Sequence, residues 1–295
     1  MTRTATAKLA CLVGGLVWGT LWVPVRALDQ AGIGGLWSVA LLYGLAGLAA
    51  LPLMGLRWRH TRRNGWRQQL AGLTLGTAAA IYGLAYLYTE VAKVVLLYYL
   101  SPVWGFLLAR LLLADPVTPV RWLSMLLALG GAAVILGGDA WPPLPANLGD
   151  WLALTAGLLF VLGSLMMLSW VRIAPLDYTL SFLVWSGAGM TLLGLLIEPQ
   201  TPGAAALWSV LPWLLPASVL VLAPGSYAIL FGAAVLNPGV VGILYMTEIG
   251  VSILLAALLT DEPFGPREIA GILLIALAGA AEGLLQVARQ RLRPS

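Results

Sequence analysis

The chain has 295 residues, of which 60% are hydrophobic and only 9% are charged. Soluble domains carry about 25% charged residues, so this composition excludes an ordinary water-soluble protein and indicates a chain surrounded by lipid. The net charge of +4 comes from basic residues at the ends of apolar runs, which argues against nucleic-acid binding. With one cysteine, Cys11, and one histidine, His60, a multi-His or Cys-rich metal site is excluded, and we expect no cofactor.

The first apolar run begins near residue 7, after a basic N-terminus, as a secretory signal peptide would. It continues to about Val25, which is too long for the apolar part of a signal peptide, and no small-residue cleavage site follows it. We interpret this run as the first membrane span.

Nine more apolar runs of membrane length follow it along the chain. An α-helix needs about 20 residues to cross a hydrocarbon core of roughly 30 Å, and none of these runs alternates as β-barrel strands do. The sequence therefore predicts an all-α integral membrane protein with ten transmembrane helices. They are expected at residues 7–27, 34–56, 69–89, 93–113, 121–138, 150–171, 177–197, 207–231, 238–259 and 267–288.

The distribution of basic residues predicts how these spans are oriented. If the N-terminus is inside, all but three of the 16 lysines and arginines fall on cytoplasmic loops and span ends. The exceptions are Arg26, Lys93 and Arg267, whereas acidic residues such as Glu90 and Glu262 lie on the external connections. We therefore expect a multi-pass protein of a bacterial-type inner membrane with both termini in the cytoplasm.

An internal repeat appears when the chain is shifted by 147 residues, which places Tyr98 on Tyr245 and Asp115 on Glu262. The matching stretches are "LLYYLSPVWGFLLARLLLADPVTPVR" and "ILYMTEIGVSILLAALLTDEPFGPRE", without a gap. This repeat predicts two five-helix units, residues 1–145 and 146–295. Because five is odd, the second unit enters the membrane from the opposite side. Inverted repeats of this kind are typical of secondary transporters, whose substrate sites lie near the midplane between the repeats.

Three stretches carry a resemblance to a known family. "LVWGTLWVPVR" in the first span, with "SPVWGFLLARLLLADP" and "TEIGVSILLAALLTDEP", resembles the EamA-type members of the drug/metabolite transporter superfamily. The resemblance covers nearly the whole chain and implies a ten-helix exporter of small metabolites. It is greatest to aromatic amino-acid exporters of that family, which implies amino acids as substrates. The chain departs from the family pattern at Asp115, where Glu is usual, and in span 6, which lacks the Trp-Gly pair of span 1.

The candidate binding residues surround an acid in the middle of the ninth span. A carboxylate at a bilayer centre costs roughly 3 kcal/mol or more, and such groups usually face a cavity. Residues spaced i, i+3, i+4 and i+7 share a helix face, and four such stripes together predict a pocket for a small amphipathic molecule. The stripes are Glu248, Tyr245 and Ser252 in span 9; Tyr98 and Ser101 in span 4, with Tyr99 as an alternative to Tyr98; Tyr82 and Tyr86 in span 3; and Trp18 and Trp22 in span 1.

A structural reading of the same residues stays open. Glu248 could be a protonated acid that only hydrogen-bonds its neighbours, and the tyrosine and tryptophan stripes could be packing between helices. Prolines inside apolar runs indicate bends, and we expect hinges for alternating access at Pro24, Pro102 and Pro224–Gly225, although each could be a static kink.

Other functional classes fit the sequence less well. An intramembrane serine protease usually needs a catalytic His, and the only His lies in a polar loop; a channel would show rings of charge or a carbonyl filter. A phosphate-binding loop for ATP is also missing from the sequence. We therefore predict a secondary transporter and not an enzyme, exporting amino acids by alternating access, with a broader drug or metabolite exporter as the alternative. Its expected partners are amphipathic solutes and membrane lipids, with no nucleic acid, and we expect a monomer, leaving a dimer open.

Overall fold

The computed structural model describes residues 2–100, 103–104, 107–108, 119–136, 145–170, 173–236, 238–262 and 264–291. Within these ranges the chain is helical apart from short connections and contains no β-strand, in agreement with the all-α prediction. Five helical stretches in the described ranges are long and apolar enough to cross a membrane. They are Arg3–Gln30, Gly35–Leu56, Leu148–Met167, Pro175–Ile197 and Ala204–Val235.

The first of these stretches is two helices, α1 (Arg3–Gly19) and α2 (Trp22–Gln30), separated by a turn at Thr20–Leu21. In this turn the amides of Thr20 and Leu21 bond the carbonyls three residues back, which is the pattern of a tightened helix end. Pro24 explains the position of the break, because a proline lacks the N–H that would bond the carbonyl four residues back, at Thr20.

The remaining helices agree in order with the predicted spans but differ at several boundaries. The predicted third span belongs to a longer helix that begins at Trp58 and is kinked at Gly65, where φ is 60°. The fourth helix is short in the described residues, because it ends in a turn at Tyr99–Leu100. These helices are α3 (Gly35–Leu56), α4 (Trp58–Ala85), α5 (Val91–Tyr98), α6 (Pro119–Leu136), α7 (Leu148–Ser169), α8 (Pro175–Ile197), α9 (Ala204–Pro216), α10 (Ala223–Val235), α11 (Pro238–Leu259) and α12 (Pro266–Arg291).

A π-helical turn, Ala217–Leu222, joins α9 to α10 in one continuous stretch. It lies directly before Pro224, whose ring would clash with the carbonyl four residues back in a regular α-helix. The wider π turn relieves this clash, so the stretch continues through the proline without a break.

The helices pack in pairs that join the first half of the chain to the second. α3 and α4 pack against α8, α4 also packs against α7, α1 packs against α10 and α11, and α6 packs against α12. Leucines such as Leu56, Leu196 and Leu220 are largely exposed on the outer faces, as expected for side chains that face lipid tails. The buried interior is rich in tyrosine and small residues.

The α3–α8 pair is fixed at both ends by carboxylates. At one end the Arg57 guanidinium Nε lies 2.6 Å from Asp177 Oδ1. At the other end the Glu198 carboxylate accepts the Leu36 amide at 3.0 Å. Because both ends are held, we expect these two helices to move as one body.

Candidate functional site

Glu248 lies midway along α11 and is only 4% exposed. Its carboxylate accepts two phenol hydrogen bonds, from Tyr82 to Oε1 at 2.8 Å and from Tyr99 to Oε2 at 2.8 Å. Tyr82 belongs to α4 and Tyr99 follows α5, so the acid of the second half is held by two tyrosines of the first half. These bonds offset part of the cost of burying the acid.

The hydrogen-bond geometry accommodates Glu248 both with and without its proton. The Tyr99 hydroxyl lies 2.8 Å from Glu248 Oε2 and also 2.8 Å from the Tyr245 carbonyl. When Glu248 is ionised, Tyr99 donates to the carboxylate. When Glu248 is protonated on Oε2, it can donate to the Tyr99 oxygen while Tyr99 donates to the Tyr245 carbonyl. The site can therefore take up or release a proton by reorienting one hydroxyl.

An aromatic layer surrounds the acid. The Tyr82 ring contacts those of Tyr98 and Tyr86 at centroid distances of 4.3 and 5.1 Å. The Trp18 ring is also stacked with the Tyr82 ring, at a centroid distance of 6.5 Å. Both tyrosines of the adjacent pair in span 4 belong to the cluster: Tyr98 supplies a ring face and Tyr99 supplies the hydroxyl that reaches Glu248.

The other two members of the α11 stripe bond the backbone of neighbouring helices. The Tyr245 hydroxyl donates to the Ile229 carbonyl of α10 at 2.5 Å. The Ser252 hydroxyl donates to the carbonyl of Gly19, the last residue of α1, at 3.1 Å. Ser252 therefore connects the Glu248 helix to the α1–α2 break.

The backbone of α1 lies directly against the turn that carries Glu248. A Cβ added at Gly19 would lie 2.8 Å from the Cβ of Val251 and 3.1 Å from the Glu248 carbonyl. Real Cβ atoms essentially never approach within 3.0 Å, so only glycine fits at position 19 without a shift of one helix. This close approach places Trp18 beside the tyrosines.

Three buried donors of the predicted stripes have no hydrogen-bond partner among the described residues: the indole N–H groups of Trp18 and Trp22 and the hydroxyl of Tyr86. The three side chains are 8%, 3% and 1% exposed. An unsatisfied buried donor costs about 1–3 kcal/mol, so such groups mark places where a further acceptor would be favourable. All three belong to the predicted stripes.

An ion pair lies next to this cluster, at the end of the molecule predicted to be external. Arg26 of α2 lies 2.5 Å from Glu262 and donates to the Tyr86 and Thr89 carbonyls, both at 3.1 Å. Its guanidinium also lies over the Trp22 ring, 5.4 Å from the centroid. Glu262 in turn accepts the Val91 amide at the start of α5 at 2.8 Å. One arginine thus ties α2 to the α4–α5 and α11–α12 connections.

The predicted hinge residues lie in different local structures, and their role as hinges stays a prediction. Pro24 lies just after the α1–α2 break, so a bend exists there. Pro224 lies in a continuous helix after the π turn, and Gly225 packs closely on Val17 of α1, so neither interrupts the helix. Ser101 and Pro102 lie outside the described residues.

Sequence reasoning missed three contributors to the site. Phe160 packs on Tyr98 at 5.6 Å and Phe182 packs on Trp18 at 6.1 Å. In the sequence they are single aromatics in apolar runs, and nothing distinguishes them from lipid-facing residues. Arg26 could have been identified from the sequence, because it is one of the few basic residues predicted on the external side, close to external acids.

Within the described ranges no group of three or more His, Cys, Asp or Glu side chains is placed to hold a metal ion. The described site offers a carboxylate, phenol hydroxyls, indole N–H groups and aromatic faces. This combination can bind a cation at the acid, an anionic or polar group at the donors, and an apolar group on the rings.

Comparison with known proteins supports the transporter class for the first half of the chain. The model of the EamA-like transporter family matches residues 5–137. This match covers less than half of the chain, and together with the long apolar helices it is consistent with a multi-pass membrane protein.

The fold of the whole chain has a counterpart among solved structures. One crystal structure of a protein is similar over 98% of this chain and 99% of that chain, with a TM-score of 0.64 and 19% sequence identity. At this identity the similarity shows a shared fold alone. No curated protein matches the chain in sequence.

Proposed function

We propose that the protein is a secondary transporter that exports amino acids, aromatic ones first, across the inner membrane by alternating access. This proposal rests in part on the resemblance of the sequence to the aromatic amino-acid exporter YddG of the drug/metabolite transporter superfamily. The single observation that carries the proposal is the buried Glu248 carboxylate, held by Tyr82 and Tyr99 where helices of the two halves meet. An intramembrane acid in this setting marks a substrate or ion pathway by default.

The donors around the acid support a zwitterionic substrate with an apolar side chain. An α-ammonium group can replace one phenol as the partner of Glu248. An α-carboxylate can accept from the unpartnered Trp18, Trp22 and Tyr86 donors. The rings of Tyr82, Tyr98 and Trp18 offer faces for an aromatic side chain.

Reciprocal helix contacts support the inverted repeat. The twofold relation between the predicted halves exchanges α1 with α7, α10 with α4, and α11 with α5. Under this relation the contact of α1 with α10 corresponds to a contact of α7 with α4. The contact of α1 with α11 corresponds to a contact of α7 with α5. Both of the corresponding contacts are present. The same exchange swaps α3 with α8 and α6 with α12, and the members of each of these pairs also pack against each other. The range matched by the transporter family, 5–137, lies within the first predicted repeat.

In this proposal α2 is the part that opens the external side. It is a nine-residue helix, separated from α1 by the Thr20–Leu21 turn and held at its outer end by Arg26 and Glu262. Rotation about the turn would break that ion pair and uncover Trp22 and the cluster beneath it. The α3–α8 pair, held at both ends, would serve as the fixed frame.

The experiment that tests the proposal is uptake of labelled phenylalanine by proteoliposomes, with and without a pH gradient. We expect saturable uptake that is competed by other aromatic amino acids. Uptake that is insensitive to the gradient would rule out obligatory proton coupling, whereas stimulation would support coupling through Glu248, the buried acid of the cluster among the described residues. Absence of uptake of any amino acid would contradict the proposal and favour the broader drug or metabolite exporter.

A further inference from the structure

The connection between α3 and the membrane part of α4 carries a dense positive surface. Arg59, Arg62, Arg63 and Arg67 are all exposed, and no carboxylate of the described residues pairs with any of them. The sequence contains no Asp or Glu from Gln30 to Thr89, so this charge has no local compensation. Asp177, the acid that reaches this end, is already bonded to Arg57 and Asn64.

Local geometry turns this positive charge away from the protein. The helical turns from Trp58 to Asn64 are separated from the rest of α4 by the kink at Gly65. Thr61 is buried, so its face of the segment lies against the protein. Before the kink, Arg59, Arg62 and Arg63 share the spacing i, i+3 and i+4, which places them together on one face of this segment.

Two tryptophans flank the arginines and remain exposed. Trp58 is 62% exposed and Trp66 is 65% exposed, and the preceding Leu56 is 84% exposed. Trp66 is held edge-on against Trp170 at 5.4 Å, with the Arg67 guanidinium 5.7 Å from its ring centroid. Exposed indoles beside an apolar helix end are typical of the headgroup level of a bilayer, where phosphates lie.

We propose that this basic-aromatic surface, residues 57–67, binds the headgroup of an anionic phospholipid in the adjacent leaflet. The arginines bind the phosphate by charge and paired hydrogen bonds, and the two tryptophans fix the depth of the segment at the interface. The occupant is a lipid and not a soluble anion, because the charges lie between exposed apolar side chains that only a membrane covers. Because Arg57 and Asn64 of the same segment hold Asp177, a bound lipid also stabilises this end of the α3–α8 pair.

The test is native mass spectrometry of the detergent-purified protein, titrated with dioleoylphosphatidylglycerol or dioleoylphosphatidylcholine. The test variant is Arg62→Gln/Arg63→Gln, and the matched control is Arg3→Gln/Lys8→Gln. The control removes the same charge from exposed residues of α1 at the same predicted side of the membrane. A third variant, Arg62→Lys/Arg63→Lys, keeps the charge.

We expect the wild type to prefer phosphatidylglycerol. Each arginine near a charged headgroup contributes about fivefold in affinity, so the Arg62→Gln/Arg63→Gln variant should lose about 25-fold at low salt. The control should stay within about twofold, and the lysine variant should retain most of the binding. Equal losses in test and control variants, equal binding of phosphatidylcholine, or displacement of the lipid by inorganic phosphate would each overturn the proposal. The readout is binding, so it is independent of whether amino acids are transported.

Discussion

At the scale of single residues, the proposed transport depends on the charge of Glu248. Glu248→Gln keeps the shape of the side chain and an oxygen that accepts from Tyr82, but it removes the negative charge that would hold an ammonium group or a proton. We expect phenylalanine uptake to fall about tenfold or more, because a hydrogen bond to a charged group contributes about 1.5–3 kcal/mol. The melting temperature in detergent should change by only a few degrees.

The matched control is Glu90→Gln, which removes a carboxylate that only pairs with Lys93 near the surface, 3.4 Å away. It should transport at the wild-type rate, since exposed ion pairs contribute little. If Glu248→Gln also transports every tested solute at the wild-type rate, Glu248 has only a structural role.

The sequence could group candidate residues by helix face, but it could not give their contacts. Helical spacing placed Tyr82, Tyr86 and Glu248 on stripes that face one another, because the stripes depend only on local periodicity. It could not choose between Tyr98 and Tyr99, because the turn after Tyr98 changes the direction of the next side chain and depends on tertiary packing. The partners of Tyr245 and Ser252 are backbone carbonyls of α10 and α1, which no pattern in a single span predicts.

At the scale of elements, the close approach of α1 and α11 sets the geometry of the site. Gly19→Ala would place a methyl group against the stiff, β-branched Val251 and the Glu248 carbonyl, forcing the two helices apart. We expect a destabilisation of about 1–3 kcal/mol, seen as a lower melting temperature, together with slower uptake.

The control for this change is Gly55→Ala near the end of α3, where an added Cβ has no neighbour within 4 Å. That variant should be neutral or slightly more stable, because alanine favours a helix over glycine by about 1 kcal/mol. A Gly19→Ala protein as stable as Gly55→Ala would show that the α1–α11 contact can relax freely.

Two ion pairs, Arg26–Glu262 and Arg57–Asp177, predict opposite effects of cross-linking. In a Cys11→Ala background, Arg26 and Glu262 are replaced by cysteines and joined by a short reducible cross-linker, and Arg57 and Asp177 are treated likewise in a second protein. The first cross-link should stop uptake until it is reduced, because α2 must leave the α11–α12 connection. The second should leave uptake intact, because α3 and α8 move together. Equal inhibition by both cross-links would contradict the assignment of α2 as the moving part.

The sequence does not predict where a proline ends a helix and where the helix continues past it. The sequence shows a proline in an apolar run at both places. The helix breaks near Pro24, at Thr20–Leu21, but it continues through Pro224. They differ because a π turn accommodates Pro224, while the first span ends its helix before Pro24. Whether a helix bends or widens at a proline depends on what packs around it.

At the scale of the whole molecule, composition and hydrophobic run length were enough to predict an all-helical membrane protein. Lipid imposes this result, since every backbone polar group in it must be satisfied within a helix. The internal repeat and the positive-inside bias predicted two inverted halves, and the reciprocal packing of α1 and α7 supports that arrangement. The ten-span count, the orientation and the division into two inverted halves stay predictions.

The central claim is that the Glu248 cluster is reached in turn from both sides of the membrane. The most direct measurement uses Ser252→Cys in a Cys11→Ala background, because Ser252 is buried one helical turn from Glu248. A membrane-impermeant thiol reagent is applied separately to each side of sealed vesicles, with and without phenylalanine. The account predicts modification from both sides, slowed by phenylalanine; modification from one side only, or from neither, would contradict it.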